Sequence, residues 1–480
     1  MDAQPNDCSE VVGSSGVSGV PESEGMGRLV VVSNRVPTGM RSADTGGLAT
    51  ALKGALSSGG LWFGWSGEIA PDEAAAEVVR SRIDGNIVFS VLDLTEQDLE
   101  EYYFGYSNRS LWPILHYRID LADFRREHYA GYLRVNRRFA RILAEQVKSN
   151  DTIWIHDYHL IPLAQELRRL GLRNKIGFFL HIPWPSPDIW AALPEHRKLL
   201  SSFEAYDLIG LQTEFDAENF IQSVAREGLE ALIPAEKVAA FPISIETKEF
   251  AAVASTAGNH PLARKLATSL RGRKLMIGVD RLDYTKGIGQ RMGCFGRFLE
   301  MVPAARGKVV YLQVTPKTRS EVPEYMQIQR EVAEIAGRIN GAYGDIDWVP
   351  IWYMNRTIRR EALAGLYRLA DVGLVTPLRD GMNLVAKEYV AAQDEADPGV
   401  LVLSRFAGSS HEMDGALLVN PYDEDETAAA IEKALAMPLD ERQARWRGMF
   451  ERLRTHDVEC WRESFLRALE PSRPVLKVAS

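Results

Sequence analysis

Cysteine is scarce: Cys8, Cys294 and Cys460 are the only three in 480 residues. An odd, scattered set builds neither a disulfide framework nor a zinc pattern, and it fits a reducing cytoplasm. Positive charge is also short. Against 65 Asp and Glu stand 56 Lys and Arg, a formal net charge of −9. That balance argues against nucleic acid or an acidic membrane as the main partner, while leaving room for a local basic pocket. No apolar run approaches the ~18–20 residues that span a bilayer. Residues 1–27 contain no Lys or Arg, so they lack the cationic start of a secretory leader. Their Ser, Gly, Asp and Glu predict a disordered tail, with Met26 as an alternative start. The link after the first strand is glycine-rich but is not G-x-G-x-x-G, which weakens a dinucleotide-cofactor reading.

What remains is ordinary for a soluble globular chain, 46% hydrophobic and 25% charged, and too long for one core. Residues 28–34 (RLVVVSN) predict a strand buried on both faces. A loop through Pro37 and Gly39 ends at Gly46-Gly47 before a helix over 48–56. Strands are expected at 62–66 and 87–92, a helix from Thr95, a helix over 128–148, and strands at 152–156, 175–181, 207–213 and 238–244. A helix over 261–270 opens a second series, with strands at 274–280, 308–314, 348–353, 371–376, 399–404 and 416–419. Helices are expected at 358–369, from Leu384 uninterrupted before Pro398, and at 424–436, 439–453 and 458–469. Two βα series in succession predict two doubly wound α/β domains with a ligand in the cleft between their sheet edges.

Polar candidates cluster just after strands. In TPLRDGMNLVAKEYVAAQ (376–393), Asn383 sits where an N-cap belongs, and the amides of Leu384 and Val385 open a helix whose positive end suits an anion. Glu388, one turn on, could accept from sugar hydroxyls; an ordinary turn with a solvated Glu reads equally well. Arg281 and Lys286 flank a strand-to-helix junction and could clamp a diphosphate, or be two solvated charges. His156 and His159 invite a metal reading, but only one carboxylate and no third imidazole accompany them at ligand spacing. Asp157 fits hydroxyl binding or proton handling better. His181 ends the next strand in the same topological position. Tyr102, Tyr103, Phe104, Tyr106 and Trp112 read as core packing or as a sugar-stacking wall.

Together VVVSNR, GGLATAL, LWFGWSGE, EYY…LWP, WIHDYHL, IGFFLHIPWP, VDRLDYTKGI and LRDGMNLVAKEYVAAQ closely resemble the trehalose-6-phosphate synthases, over roughly 28–470. The resemblance implies a GT-B fold and a retaining glucosyltransferase that uses UDP-glucose and glucose 6-phosphate. Residues 28–246 would bind the acceptor and 247–455 the nucleotide sugar. Residues 456–470 would pack back on the first domain, and 471–480 would form a flexible tail. The resemblance places Arg35, Tyr103 and Arg319 on the acceptor phosphate, Asp157 on its sugar and Trp112 beside it. It places Gly46, Gly47, Arg281 and Lys286 at the donor diphosphate, and His181 and Asp380 on the donor glucose. Ile358 would lie against the nucleobase, leaving uracil, guanine or adenine open. Leu384 and Val385 would give the phosphate-binding amides, Gly381, Met382 and Asn383 would also bind the donor, and Glu388 would bind the ribose. Asp157, His181, Arg281, Lys286 and Asp380 are the expected catalytic set. No metal or other cofactor is implied, and neither nucleic acid nor membrane is a partner. The family implies a homo-oligomer, dimer or tetramer. Competing expectations are a sister transferase with glycerol 3-phosphate as acceptor, a nucleotide-dependent oxidoreductase, and a non-catalytic sensor of sugar phosphates.

Overall fold

Aliphatic runs flanked by helices become parallel strands covered on both faces, because each crossover helix needs an apolar surface to bury against. The computed structural model describes residues 27–37, 47–316 and 323–470. The first sheet contains β1 (Leu29–Arg35), β2 (Gly60–Ala70), β3 (Arg80–Asp84), β4 (Ile87–Thr95), β5 (Thr152–His156), β6 (Lys175–Phe179), β7 (Leu208–Leu211) and β8 (Val238–Ala240). Its order is β3-β4-β2-β1-β5-β6-β7-β8. All neighbours are parallel except β3, which runs antiparallel to β4. The second sheet contains β9 (Lys274–Val279), β10 (Val309–Val314), β11 (Ile351–Met354), β12 (Val372–Val375), β13 (Val400–Ser404) and β14 (Leu417–Val419). Its order is β11-β10-β9-β12-β13-β14, parallel throughout.

In each sheet the order reverses beside one strand. β1 pairs with β2 on one side and β5 on the other; β9 pairs with β10 and β12. Loops leaving such neighbouring strands diverge to opposite faces, which opens a crevice at their carboxyl ends. Both crevices receive candidate residues.

The chain crosses between sheets after β8, and the final helix Val458–Leu469 packs on the first sheet. There Trp461 and Phe465 lie 5.0 and 4.7 Å from the Trp154 ring. Met382, beside the second sheet, joins the same apolar cluster as Val31, Trp154, Phe179 and Phe465. The two halves therefore share a dry seam as well as a covalent link.

Several expectations need correction. The edge strand β3 (RSRID) is almost wholly polar, so it carries no apolar alternation to announce it. Helices Thr247–Ala257 and Pro323–Tyr343 were not expected. The strand foreseen over 238–244 stops at Ala240; Pro242 has no N–H to continue the ladder. The helix from Leu384 ends at Ala392, well short of Pro398. Gln393 turns out of it, donating to the Tyr367 and Tyr389 carbonyls and accepting from the Gly399 N–H. The aromatic segment is a helix of wide i→i+5 turns, Leu99–Leu111. Tyr102 and Tyr106 are in the core, while Tyr103 and Phe104 are only half-buried.

Candidate functional site

At the first crevice, Arg35 closes β1 with its side chain exposed. Its guanidinium stands 5.8 Å from the Trp65 ring, close enough for a cation–π attraction. Gly67 holds a left-handed backbone (φ +95°), and a Cβ there would come 2.6 Å from Arg35 Nη2, so glycine makes room for the cation. Tyr103 packs against Trp65 at 5.5 Å and lies nearly parallel to the His159 ring at 5.9 Å. Trp65 completes this cluster, although in the sequence it reads only as a strand residue. The Tyr102 hydroxyl donates to Asn34 Oδ1 at 2.7 Å, fixing the loop that follows β1. Trp112 is buried and sits 5.7 Å from the Tyr158 ring.

Asp157 follows β5 with φ 78°, a backbone region that non-glycine residues occupy sparsely and at some cost in strain. Its Oδ1 accepts from the His181 backbone N–H at 3.3 Å. His181 in turn leans on His156: His156 Nδ1 and His181 Nε2 are 3.0 Å apart. Desolvation drives His181 down to about 3 and His156 well below its ordinary value, so both rings are neutral at pH 7. His156 and His159 do not share a ligand: His159 packs among Tyr103 and Tyr158. Among the described residues, no group of three or more His, Cys, Asp or Glu gathers as a metal cage.

At the second crevice, Lys286 Nζ donates to Asp380 Oδ2 at 2.5 Å, with the two side chains only 11% and 13% exposed. Asn383 Nδ2 donates to the same oxygen at 3.0 Å. Asn383 itself is left-handed (φ 71°) and caps helix Leu384–Ala392 by accepting from the Ala386 N–H. The amides of Leu384 and Val385 are the first two of that helix and have no earlier carbonyl within it to bond. Glu388 is half-buried on the same helix, and desolvation raises its carboxyl to about 7 despite Arg360 and the Tyr367 hydroxyl favouring the anion. Ile358 is in the loop before helix Arg360–Leu369 rather than inside a helix, and packs on the second core. Gly47 begins helix Gly47–Ala55. Gly46 and Arg319 lie outside the described residues.

Two supports were invisible in the sequence. Arg291 is fully buried. Its Nη1 lies 2.7 Å from Asp280, its Nε donates to Thr376 Oγ1 at 3.0 Å, and its Nη2 donates to the Lys286 carbonyl at 3.1 Å. One guanidinium thus ties together the loops that follow β9 and β12. Lys387 is also buried and donates to Glu412 Oε2 at 2.6 Å and to the Ile243 carbonyl at 2.7 Å, anchoring the Leu384 helix to the crossing segment. Neither has a local signature, since partners distant in sequence create both.

The two crevices face each other closely. The Arg281 guanidinium reaches over the Trp112 ring at 5.9 Å. Gly381 meets the chain after β6: a Cβ there would come 2.5 Å from the His181 carbonyl oxygen and 2.8 Å from Ile182 Cα. Arg281, Lys286 and the open helix tip are thereby gathered on one side. Arg35, Tyr103, Trp112 and Asp157 are gathered on the other, with His181 and Asp380 at the join.

A cleft lined this way can hold a polyanion against one wall and a second polar ligand against the other. Known proteins share the sequence and fold of this chain. The family model for glycosyltransferase family 20 matches residues 28–471. A trehalose-6-phosphate synthase of Sinorhizobium fredii is 54% identical over 460 residues, covering 93% of this chain and 99% of the relative. A solved UDP-forming α,α-trehalose-phosphate synthase of Burkholderia xenovorans, in complex with glucose 6-phosphate, is 43% identical, with a TM-score of 0.88 and coverage of 92% and 100%. A solved E. coli chain described as bound with UDP-2-fluoro glucose is 45% identical, with a TM-score of 0.86 and coverage of 93% and 100%. At such identity the fold is shared as well, so the two facing α/β halves are a GT-B pair. On the match of nearly its whole length, this chain belongs to glycosyltransferase family 20.

Proposed function

We propose that this chain moves glucose from UDP-glucose to glucose 6-phosphate, giving α,α-trehalose 6-phosphate and UDP. The observation that carries the reading is the approach of Arg281 to Trp112, a diphosphate-type cation against an acceptor-type wall, in a family whose relatives are solved with glucose 6-phosphate and with UDP-2-fluoro glucose. Residues 28–246 form the acceptor half and 247–455 the donor half, with 456–470 returning to the first. The direct test supplies a panel of nucleotide-glucose donors with glucose 6-phosphate and identifies the product. Trehalose 6-phosphate from UDP-glucose supports the assignment; donor binding without UDP release would point to a sensor, and transfer to glycerol 3-phosphate to the sister enzyme.

We propose a front-face mechanism. A double displacement needs a nucleophile beneath the anomeric carbon. Asp157 is turned to the His181 amide, and Asp380 is held by Lys286 and Asn383. Both carboxylates are engaged by neighbouring groups, which supports substitution on one face. The diphosphate departs, an oxocarbenium-like centre forms, and the acceptor hydroxyl attacks from the leaving-group side while the diphosphate takes its proton. Arg281, Lys286 and the amides of Leu384 and Val385 stabilise the growing negative charge. Fixed cations stand where other transferases use a divalent ion, so activity is expected to survive excess EDTA. Complete loss that magnesium restores would contradict this.

Arg35 is assigned to the acceptor phosphate. Arg35→Ala should raise KM for glucose 6-phosphate by about 10-fold or more, the worth of one charge-assisted hydrogen bond, and leave KM for UDP-glucose nearly unchanged. The reverse split would mean that the pockets are exchanged.

Glu388 gives the donor site a pH dependence. Accepting from ribose hydroxyls requires the carboxylate, and its carboxyl titrates at about 7. KM for UDP-glucose should therefore climb as pH falls below about 7, with Glu388→Gln raised throughout and flat over the same range. For stability the sign is opposite. Because the folded value lies above the ordinary 4.5, this group's contribution to stability falls as pH rises from 4.5 to about 7. A wild-type KM that does not change with pH would remove Glu388 from the ribose.

We assign the enzyme to the cytoplasm, a reading supported by its described cysteines, Cys294 and Cys460, both free. Among the described residues no helix is long and apolar enough to cross a membrane. A dimer or tetramer is assigned on family resemblance.

A further inference from the structure

We propose that His156 is a positioning residue whose Nδ1–H fixes the proton of His181 on Nδ1, so that His181 turns an N–H donor, rather than a lone pair, toward the cleft. The two rings sit at the ends of adjacent strands, with centroids 5.2 Å apart and planes 27° apart. His156 is wholly buried, with Trp154 at 4.5 Å and Phe179 at 6.3 Å around it. Both imidazoles are neutral, so the 3.0 Å contact between His156 Nδ1 and His181 Nε2 needs one donor and one acceptor. Two arrangements satisfy it, and the far nitrogen of His156 decides between them. His156 Nε2 is buried without a hydrogen-bond partner. If His181 donated, His156 would carry its proton on Nε2 and strand a buried N–H. If His156 donates, only a lone pair is left unmatched. Buried orphan donors are the rarer and costlier defect, so His156 donates and His181 accepts on Nε2. A neutral His181 then carries its proton on Nδ1. His156 takes up Nε2 of this half-buried ring, and His181 Nδ1 is not among the buried polar atoms left without a partner, so Nδ1 is the nitrogen left to meet a ligand.

The consequence for catalysis rests on the reading of His181 as a donor-glucose contact. An Nδ1–H selects a hydroxyl oxygen that accepts, and the neutral pair keeps that donor from becoming a cation beside an oxocarbenium-like centre. Nothing in the sequence separates this from a histidine free to take either tautomer.

The test labels the histidines with nitrogen-15 and reads the ring-nitrogen shifts of His181, assigned with the His181→Gln variant. The wild type should show a protonated Nδ1 and a bare Nε2. His156→Asn, whose amide can donate from near the Nδ1 position, should keep that pattern. His156→Leu should release it, with kcat/KM for UDP-glucose falling about 10-fold, the worth of one hydrogen bond, and recovering in His156→Asn. A proton on Nε2 of wild-type His181, or a tautomer unmoved in His156→Leu, overturns the proposal. The expected tautomers with unchanged donor kinetics would uphold the pairing and overturn the placement of donor glucose at His181. If His156→Leu does not fold, the wild-type and His156→Asn spectra still decide.

Discussion

Lys286→Ala is expected to lower kcat by about 10²–10³-fold, the cost of removing one preorganised group that meets charge as it develops. The lysine is only 11% exposed and pinned to Asp380 at 2.5 Å, and the loop carrying it is held through its carbonyl by Arg291. Its ammonium is therefore fixed before the reaction starts and needs no reorganisation as the diphosphate leaves. The substitution deprives Asp380 of one partner, but Asn383 still donates to the same oxygen at 3.0 Å. Losing the ion pair should lower the melting temperature while leaving a folded enzyme. The measurement is steady-state kinetics with both substrates beside a thermal melt. A folded variant with wild-type kcat would remove Lys286 from the leaving-group side.

Gly381→Ala should be nearly as damaging for a different reason. Its Cβ would fall 2.5 Å from the His181 carbonyl oxygen and 2.8 Å from Ile182 Cα. Both are backbone atoms of the facing half, so no side chain can rotate away. The clash is relieved only by moving Asp380 and Lys286 away from His181 and Trp112. A displacement of about 1 Å between reacting groups costs about 10²-fold in rate. Each half keeps its own core, so the expected result is a folded protein with low transfer. A wider gap between the halves should admit water, so hydrolysis of UDP-glucose should make up a larger share of turnover. Wild-type transfer in Gly381→Ala would mean that the two backbones are not this close when the reaction occurs.

Much of this was legible in the chain because the candidate groups occupy one kind of place. Asp157, His181, Arg281, Asp380 and Leu384 all follow parallel strands, and a strand that reads as a continuous aliphatic run marks where its loop begins. Asn383 before Leu384 announced the helix start that the structure shows. What escaped was set by partners far away. Arg291 looks like any helix residue until Asp280, Gln313 and Thr376 surround it. Lys387 passes as a surface lysine until Glu412 and Ile243 enclose it. Trp65 becomes a site residue only because β2 runs beside β1 and brings it to Arg35. The aromatic segment, readable as core packing or as a wall, divides for the same reason. Helical turns send Tyr102 and Tyr106 inward and leave Tyr103 at the margin, a separation that composition alone does not contain.

We propose that the diphosphate of the donor is gripped between two fixed cations and the open tip of a helix. A crystal structure with UDP and glucose 6-phosphate bound tests it most directly. Phosphate oxygens are expected within hydrogen-bonding distance of Arg281, Lys286 and the Leu384 and Val385 amides, with the sugar phosphate across the cleft beside Arg35 and Tyr103. A diphosphate bound anywhere else in the cleft would contradict it.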